Sequence, residues 1–429
     1  MTAAAVIDSG SYDLEIETGF DFNSFTLDDP VRGVLDNTEF TLGPGTDWAS
    51  VITGTTEIRV LRGRRNLGDQ FVPGSLSAVL NDTAADGVFN PFDTSSPYYD
   101  PATAQPGLAP MRKIRLSRIT DGVPEYLFVG RIVTYDYTFT LGGLDQVNVY
   151  ATDNAYTLAQ TQVAEWNVDT ELASTRVANL LDLPEVNAFT GVGERSIETS
   201  ITTLGGSSTY TVADGTNALQ YLGEIQTAEQ GRIFVSREGQ FVFQRRVGTT
   251  LSGPVLTLND TGATPYDAVG ISFEADQVVN RVSVATKDHP HIVAEDLVSQ
   301  AKYFIQSQTF ETILSSEAQA LTLAEYLLVG EPTAIFTNVS VSFPRLSGAE
   351  RDAAALVEIG DTIQVEKQIQ TTTGPISFAQ ELSVEGIEHS LTLFGGHSVT
   401  YYTTPTVVVY ELILDSVQYG TINGLNVLG

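Results

Sequence analysis

Apolar residues alternate with polar ones over much of this chain, and the alternation comes in short runs separated by glycine, proline and acidic turns. Between Ile58 and Arg131 the two ends of the stretch carry β-branched and aromatic residues spaced for a pleated surface. Leu76, Val79 and Leu80 lead into a polar, glycine-containing turn, Ile114 and Leu116 alternate with charge, and Leu127 and Val129 carry a further strand into Gly130-Arg131. Tyr135, Tyr137, Phe139 and Leu141 then alternate with Asp136, Thr138 and Thr140, and Val147, Val149 and Ala151 return after Gly142-Gly143, a hairpin pattern. These runs predict a first small β-barrel over 46–155, interrupted by one proline-stiffened loop from Pro91 to Pro110.

The period then changes. Asp153 and Asn154 stand where they cap a helix from Ala155 to Trp166. Ala173, Val177, Leu180 and Leu181 follow helical spacing after Asp169-Thr170, and Ala218, Leu222 and Ile225 repeat it up to Gly231. With the hairpin Ile233-Phe234-Val235 and Phe241-Val242-Phe243, turned at Glu238-Gly239, these make an α+β insertion over 156–275. From 276 to 404 a second small barrel with helices is expected. Its strands include Asn280–Val284, the alternating Val339, Val341 and Phe343, Glu358–Val365 and Val384–His389. The most regular helical stripe, Ala320, Leu323, Ala324, Leu327 and Leu328, follows Ser316 and Gln319 at capping-box spacing and stops at Gly330 and Pro332. The fold class is therefore a β-rich α+β protein: two small β-barrel domains, an α+β insertion, and arms at 1–45 and 405–429.

Composition fits that plan. The chain has 429 residues, 42% of them hydrophobic and only 17% charged, enough to bury more than one core. A net charge of −31 repels nucleic acid and anionic membranes, and suits either a soluble particle component or the wall of an acidic channel. With no cysteine there is no disulfide framework and no thiol chemistry. Residues 1–20 lack a signal-peptide pattern, and no run of about 18 apolar residues predicts a membrane span. Synthesis in a host cytoplasm is the expectation.

One stretch is specific enough to compare. Arg62-Gly63-Arg64 is followed by Phe71-Val72-Pro73-Gly74, Leu80-Asn81-Asp82 and Asp86-Gly87-Val88-Phe89-Asn90-Pro91-Phe92-Asp93-Thr94-Ser95-Ser96-Pro97-Tyr98-Tyr99. Pro106-Gly107 then precedes Arg112-Lys113-Ile114-Arg115. This order resembles the minor tail proteins of bacteriophages with long, non-contractile tails, and within them the tail-hub proteins. The run Glu229-Gln230-Gly231-Arg232-Ile233-Phe234-Val235 with Arg245-Arg246 resembles the same family. The resemblance implies a structural virion protein at the tail tip, a homotrimeric ring in which two similar barrels per subunit match six-fold to three-fold symmetry. It also implies contacts with the distal tail or tube protein, tape measure and tip proteins, and DNA passing through the lumen without specific binding. The chain leaves no room for a large C-terminal receptor-binding or hydrolase domain. Two other readings stay open, a hexameric distal tail protein and a glycan-binding tail-tip component.

Fifteen residues are candidates for contacts between subunits. Leu27, Asp28 and Gly33 fall on Leu414, Asp415 and Gly420 at one constant shift, a strand-turn-glycine pattern at both ends that suits strand addition at sheet edges. Clips of this kind are familiar at the ends of tail-tip proteins. Arg59, Arg62, Arg64 and Arg65 form the one dense basic cluster, and Arg112, Lys113 and Arg115 a second, both suited to acidic faces of neighbours. Tyr98 and Tyr99, between Pro97 and Pro101, either anchor an interface or pack their loop on its own barrel.

Catalytic and ligand patterns do not assemble. Asp82, Asp86, Gly87, Asn90 and Asp93 sit at calcium-loop places, but Ala84 occupies a ligand position and the flanks are strands. A glycine turn whose aspartates hold their own backbone accounts for them better. Of the four histidines, His289 and His291 flank Pro290 without a third ligand, and His389 and His397 read as isolated, solvated or edge-capping side chains. Nucleophile elbow, Walker loop and zinc-peptidase motifs are all missing. Tyr98-Tyr99 and Tyr401-Tyr402 are the pairs a glycan-binding reading would use. The sequence predicts no enzyme, no metal and no cofactor.

Overall fold

The structure, a computed structural model, describes residues 11–19, 48–65, 70–205, 210–246, 253–262, 264–286, 289–372, 374–406, 410–411 and 426–427. The first strand region contains β1 (Tyr12–Glu17), β2 (Thr55–Gly63), β3 (Val72–Asn81), β4 (Lys113–Thr120), β5 (Val123–Thr138) and β6 (Gln146–Thr152). After it come helices α1 (Ala155–Gln160), α2 (Ala173–Leu181) and α3 (Ala218–Glu229), then the hairpin β7 (Arg232–Val235) and β8 (Phe241–Gln244). Two further strands, β9 (Leu256–Asn259) and β10 (Ala268–Ser272), precede a small three-stranded module. Its strands are β11 (Arg281–Thr286), β12 (His289–Glu295) and β13 (Ser307–Thr312), with α4 (Leu297–Tyr303) between the last two and α5 (Glu317–Tyr326) after them. The chain closes with β14 (Ile335–Ser342), α6 (Gly348–Leu356), β15 (Thr362–Thr371), β16 (Gly374–Thr392) and β17 (Gly396–Pro405).

Strands from the two regions expected as separate barrels lie in one 13-stranded sheet. Its main path runs from the short strand Trp48–Ser50 through β1, β4, β5, β6, β3, β2, β16, β17 and β14 to β10, with no closing pair among the described residues. The join is β2 against β16, antiparallel from Gly63↔Gly386 to Glu57↔Thr392. The earlier half of β16 uses the same edge to pair with β15. Alternation places the core as the pattern predicts: Tyr12, Leu14 and Ile16 of β1 and Val399 and Tyr401 of β17 point inward. A single apolar cluster continues across the join, from Leu14 and Leu116 to Ile363 and Ile387. A second cluster gathers α2, α3, β7 and β8 with Val282, Val284 and α5.

Several local expectations shift. β5 ends at Thr138, so Phe139 and Leu141 are exposed, and Phe139 lies against Tyr137 at 4.6 Å instead of continuing the strand. α1 stops at Gln160 and not at Trp166, because Gln162–Val163 and Trp166–Asn167 pair as short strands with Thr216–Asn217 and Thr211–Val212. α2 is capped by Ser200 Oγ, which accepts from Ser174 N at 3.0 Å, while Asp169 uses its carbonyl to hold Arg176. Ser316 accepts from Gln319 N, but the Gln319 side chain turns to Thr203 N, so the reciprocal half of that box is absent. The complete capping box is Ser347 with Glu350, on α6, a helix the apolar pattern does not predict.

Candidate functional site at the seam between the two strand regions

At the β2–β16 join the backbones come too close for a side chain. A Cβ on Gly63, whose φ is +79°, would lie 2.3 Å from Glu385 O, and one on Gly386 would lie 2.3 Å from Arg64 O. These glycines let β2 lie against β16 just where β16 leaves β15, and the bulge between Val384 and Gly386 marks the transfer.

Around that crossing the Arg62–Arg65 cluster meets acids more than 290 residues away. The Glu385 carboxylate, 5% exposed, accepts on one oxygen from Arg64 Nε and Nη2 at 3.1 and 2.7 Å. Its other oxygen accepts from Arg232 Nε and Nη2 at 3.1 and 2.6 Å, and Arg232 also donates to Ser383 Oγ at 2.7 Å. One buried carboxylate thus ties together the first strand region, the helical insertion through β7, and the last strands. Arg62, 2% exposed, donates to Glu358 at 2.6 Å, and the second oxygen of Glu358 accepts from Arg237 N at 2.9 Å. Arg65 reaches Glu388 at 3.0 Å beside Tyr402, whose hydroxyl donates to the same carboxylate at 2.7 Å. Burial and the Glu388 charge push the Tyr402 hydroxyl up to about 12.

Next to this network lies a buried polar chain. Arg118 donates to Tyr12 Oη at 2.9 Å, Tyr12 Oη meets His397 Nδ1 at 2.9 Å, and His397 Nε2 meets His389 Nδ1 at 3.0 Å. The arginine can only donate, and the histidine tautomers set which way the two remaining bonds run. Both imidazoles are buried, contrary to the solvated histidines expected, and desolvation lowers both basicities, His389 to about 3. Asp153 is buried near Arg62 and accepts from Gly74 N at 2.6 Å and Ala155 N at 2.9 Å; burial outweighs those bonds and pushes it up to about 7.

The remaining candidates divide. Arg59 is 62% exposed and pairs with Glu57 two residues away. Arg115 grips Glu15 with two hydrogen bonds, at 2.6 and 3.0 Å, and stacks on Trp48, while Lys113 reaches Glu17 at 3.3 Å; both tie β4 to β1. The Arg112 guanidinium lies over Gly19. Tyr98 packs on the sheet core, and Tyr99 pairs with Pro106 in the loop's own two-stranded ribbon. Tyr401 is fully buried and donates to Ala354 O, and half-buried Tyr402 donates to Glu388. Asp82 is buried, accepting from Phe89 N and Tyr137 Oη; Asn90 and Asp93 accept from backbone two residues ahead. Leu27, Asp28, Gly33, Leu414, Asp415 and Gly420 lie outside the described residues. Among the described residues no group of three or more His, Asp or Glu side chains is placed to hold a metal.

Sequence reasoning missed Glu385, Glu358 and Arg232 as members of one site, and the His389–His397 pair. The histidines carried a usable signal. They flank the Gly395-Gly396 turn of a hairpin in which Leu391 opposes His397, so His389 is a diagonal neighbour on the same face.

No family model matches the sequence, and no curated protein matches it. Solved structures do. A tail protein from Neisseria meningitidis MC58 is similar with a TM-score of 0.52 at 14% identity, over 83% of this chain and 93% of that one. The 43 kDa tail protein of prophage MuSo2 from Shewanella oneidensis is similar with a TM-score of 0.54 at 13% identity, over 84% and 96% of the two chains. The chain has the fold of these phage tail proteins.

Proposed function

We propose that this chain is a structural subunit of a bacteriophage tail, and that it forms the hub ring at the tail tip. The observation that carries the reading is the shared fold with two tail proteins over more than four-fifths of this chain and nearly all of theirs. The seam supports it as well. A ring subunit that joins a tube to a tip must hold its strand regions in fixed register, and Glu385 clamps two of them to the insertion from inside. In this reading three copies surround the channel, their acidic surface lets DNA pass without adhering, and the terminal clips and exposed basic residues such as Arg59 and Arg65 meet neighbouring tail proteins. The work is assembly, with no chemical step.

Symmetry-resolved imaging of the intact tail tip tests this. Three copies in a ring on the tail axis are expected. Six copies would make the chain a distal tail protein, and a position off the axis would overturn the ring altogether.

A further inference from the structure

We infer that the seam holds one buried water molecule, which takes two N–H groups of Arg62 on its oxygen and donates to His389 Nε2. Both buried histidines then carry their proton on Nδ1. The site lies inside a single chain and is independent of the ring reading.

Unsatisfied polar atoms of two buried side chains gather here. Arg62 is 2% exposed and His389 1%. Arg62 Nη1 donates to Glu358 at 2.6 Å, but Arg62 Nε and Nη2 and His389 Nε2 have no partner among the described residues. The strand register brings the two side chains together. Arg62 stands opposite Ile387, and His389 lies two residues further along β16 on the same inward face. They are diagonal neighbours, a separation that a long side chain spans. The Arg62 charge acts on the His389 ring accordingly. Buried polar atoms without a protein partner are the ones that internal water satisfies, usually with about three hydrogen bonds. Two donors on Arg62 and one ring nitrogen supply three.

The guanidinium decides how the water is turned. Nε and Nη2 form the side-on fork, whose N–H groups converge on one acceptor. Two other arginines of the seam show the same fork on a single oxygen: Arg64 on one oxygen of Glu385, Arg232 on the other. The nearby carboxylates are engaged elsewhere, Glu358 with Arg62 Nη1 and Arg237 N, and Asp153 with Gly74 N and Ala155 N. A water oxygen in the fork uses both lone pairs, so toward His389 it only donates. His389 Nε2 accepts, and its protonated Nδ1 donates to His397 Nε2 at 3.0 Å. His397 Nδ1 then donates to Tyr12 Oη at 2.9 Å, where Arg118 donates as well. Burial keeps both rings neutral, with one N–H each, as this requires. An anion in the same fork would instead accept from His389 Nε2 and reverse both tautomers.

With the water in place one hydrogen-bonded chain crosses the join, from Asp352 through Arg118, Tyr12, His397 and His389 to Arg62 and Glu358. A slip of β2 along β16 would part Arg62 from His389 and leave both unpaired, so the water also reads the register.

The test uses the full chain near neutral pH. In ¹⁵N spectra of histidine-labelled protein, with each signal assigned by substitution, the Nδ1–H form of His389 and His397 should exceed the other by at least about tenfold, because the other form loses a buried hydrogen bond. A high-resolution crystal structure should show one oxygen-sized peak between Arg62 and His389, with no anomalous signal there after exchange into bromide. Arg62→Lys keeps the charge but has no fork, so a water beside it regains a lone pair. Its His389 should shift toward an even mixture of tautomers, a change that a purely structural role of Arg62 would not produce. A His389 held as Nε2–H, a bromide signal in the fork, or a direct Arg62–His389 contact overturns the inference. A tautomer preference that Arg62→Lys leaves unchanged overturns it as well. If that variant does not fold, the wild-type spectrum and density decide alone.

Discussion

At the seam, Glu385 is 5% exposed between two guanidiniums, and three segments far apart in sequence converge on it. At α4, Val298 and Phe304 are each 83% exposed on a chain with a charge of −31, with their turn fixed from behind by a buried asparagine. One region buries charge and the other exposes hydrocarbon, the reverse of the ordinary distribution. The contrast sorts contacts by reach. A desolvated ion pair has strict geometry and is costly to leave unpaired, so within a chain it fixes strand register and insertion angle.

The largest effect should come from the seam. Glu385→Ala leaves Arg64 and Arg232 side by side, both mostly buried, without their shared carboxylate. Breaking a buried pair by removing one partner costs about 3–5 kcal/mol, and chemical denaturation should show a loss of that size. A loss below about 1 kcal/mol would mean that the seam is no clamp, and the contrast with α4 would go with it.

How much of this the sequence disclosed depends on the range of the interactions. α2, α3 and α5 were legible because an apolar stripe at helical spacing is a local signal that buried contacts preserve. α4 was not, because its apolar residues face water and follow no core stripe, and α6 was not, because its buried face is only Ala354 and Ala355. The Arg62–Arg65 cluster stood out as a cluster, but its role did not. Arg64 meets Glu385 only through the β2–β16 register, a pairing across more than 320 residues for which no local pattern exists. The expected exposure of the histidines failed for the same reason, since burial of His397 depends on Tyr12 from the other end of the chain.

A medium effect should appear in the pH dependence of stability. His389 has its folded-state value near 3, below an unfolded value of about 6.5. Between those limits the unfolded chain binds the extra proton, so its contribution is fully present above about 6.5 and is lost as pH falls toward 3. Lowered His397 acts in the same direction. Asp153, raised to about 7, opposes them: it favours the folded state at low pH and loses that contribution as pH rises through 7. His389→Asn keeps a side chain that can donate or accept near the position of Nδ1 and removes the titration. Denaturation at stepped pH should then show the acid-side slope reduced by at most about 1.4 kcal/mol per pH unit. A wild-type slope that the substitution leaves unchanged would mean that burial does not lower the basicity of His389 in the fold.

The smallest effect is the one that sharpens the contrast. Arg59 belongs to the same basic run as Arg62 and Arg64, yet it is 62% exposed and its partner Glu57 lies two residues away on the same strand. An exposed pair of that kind contributes about 0–1 kcal/mol, because water screens the attraction and holding two mobile side chains costs entropy. Arg59→Ala should therefore leave the unfolding midpoint of the isolated chain almost unchanged, where Glu385→Ala lowers it strongly. If Arg59 serves a neighbour in the particle, the loss should appear as weaker, salt-sensitive association with another tail protein, since rim charges act chiefly on the rate and ionic-strength dependence of encounter. A large loss of stability from Arg59→Ala would place the whole basic run inside the fold, Arg59 included.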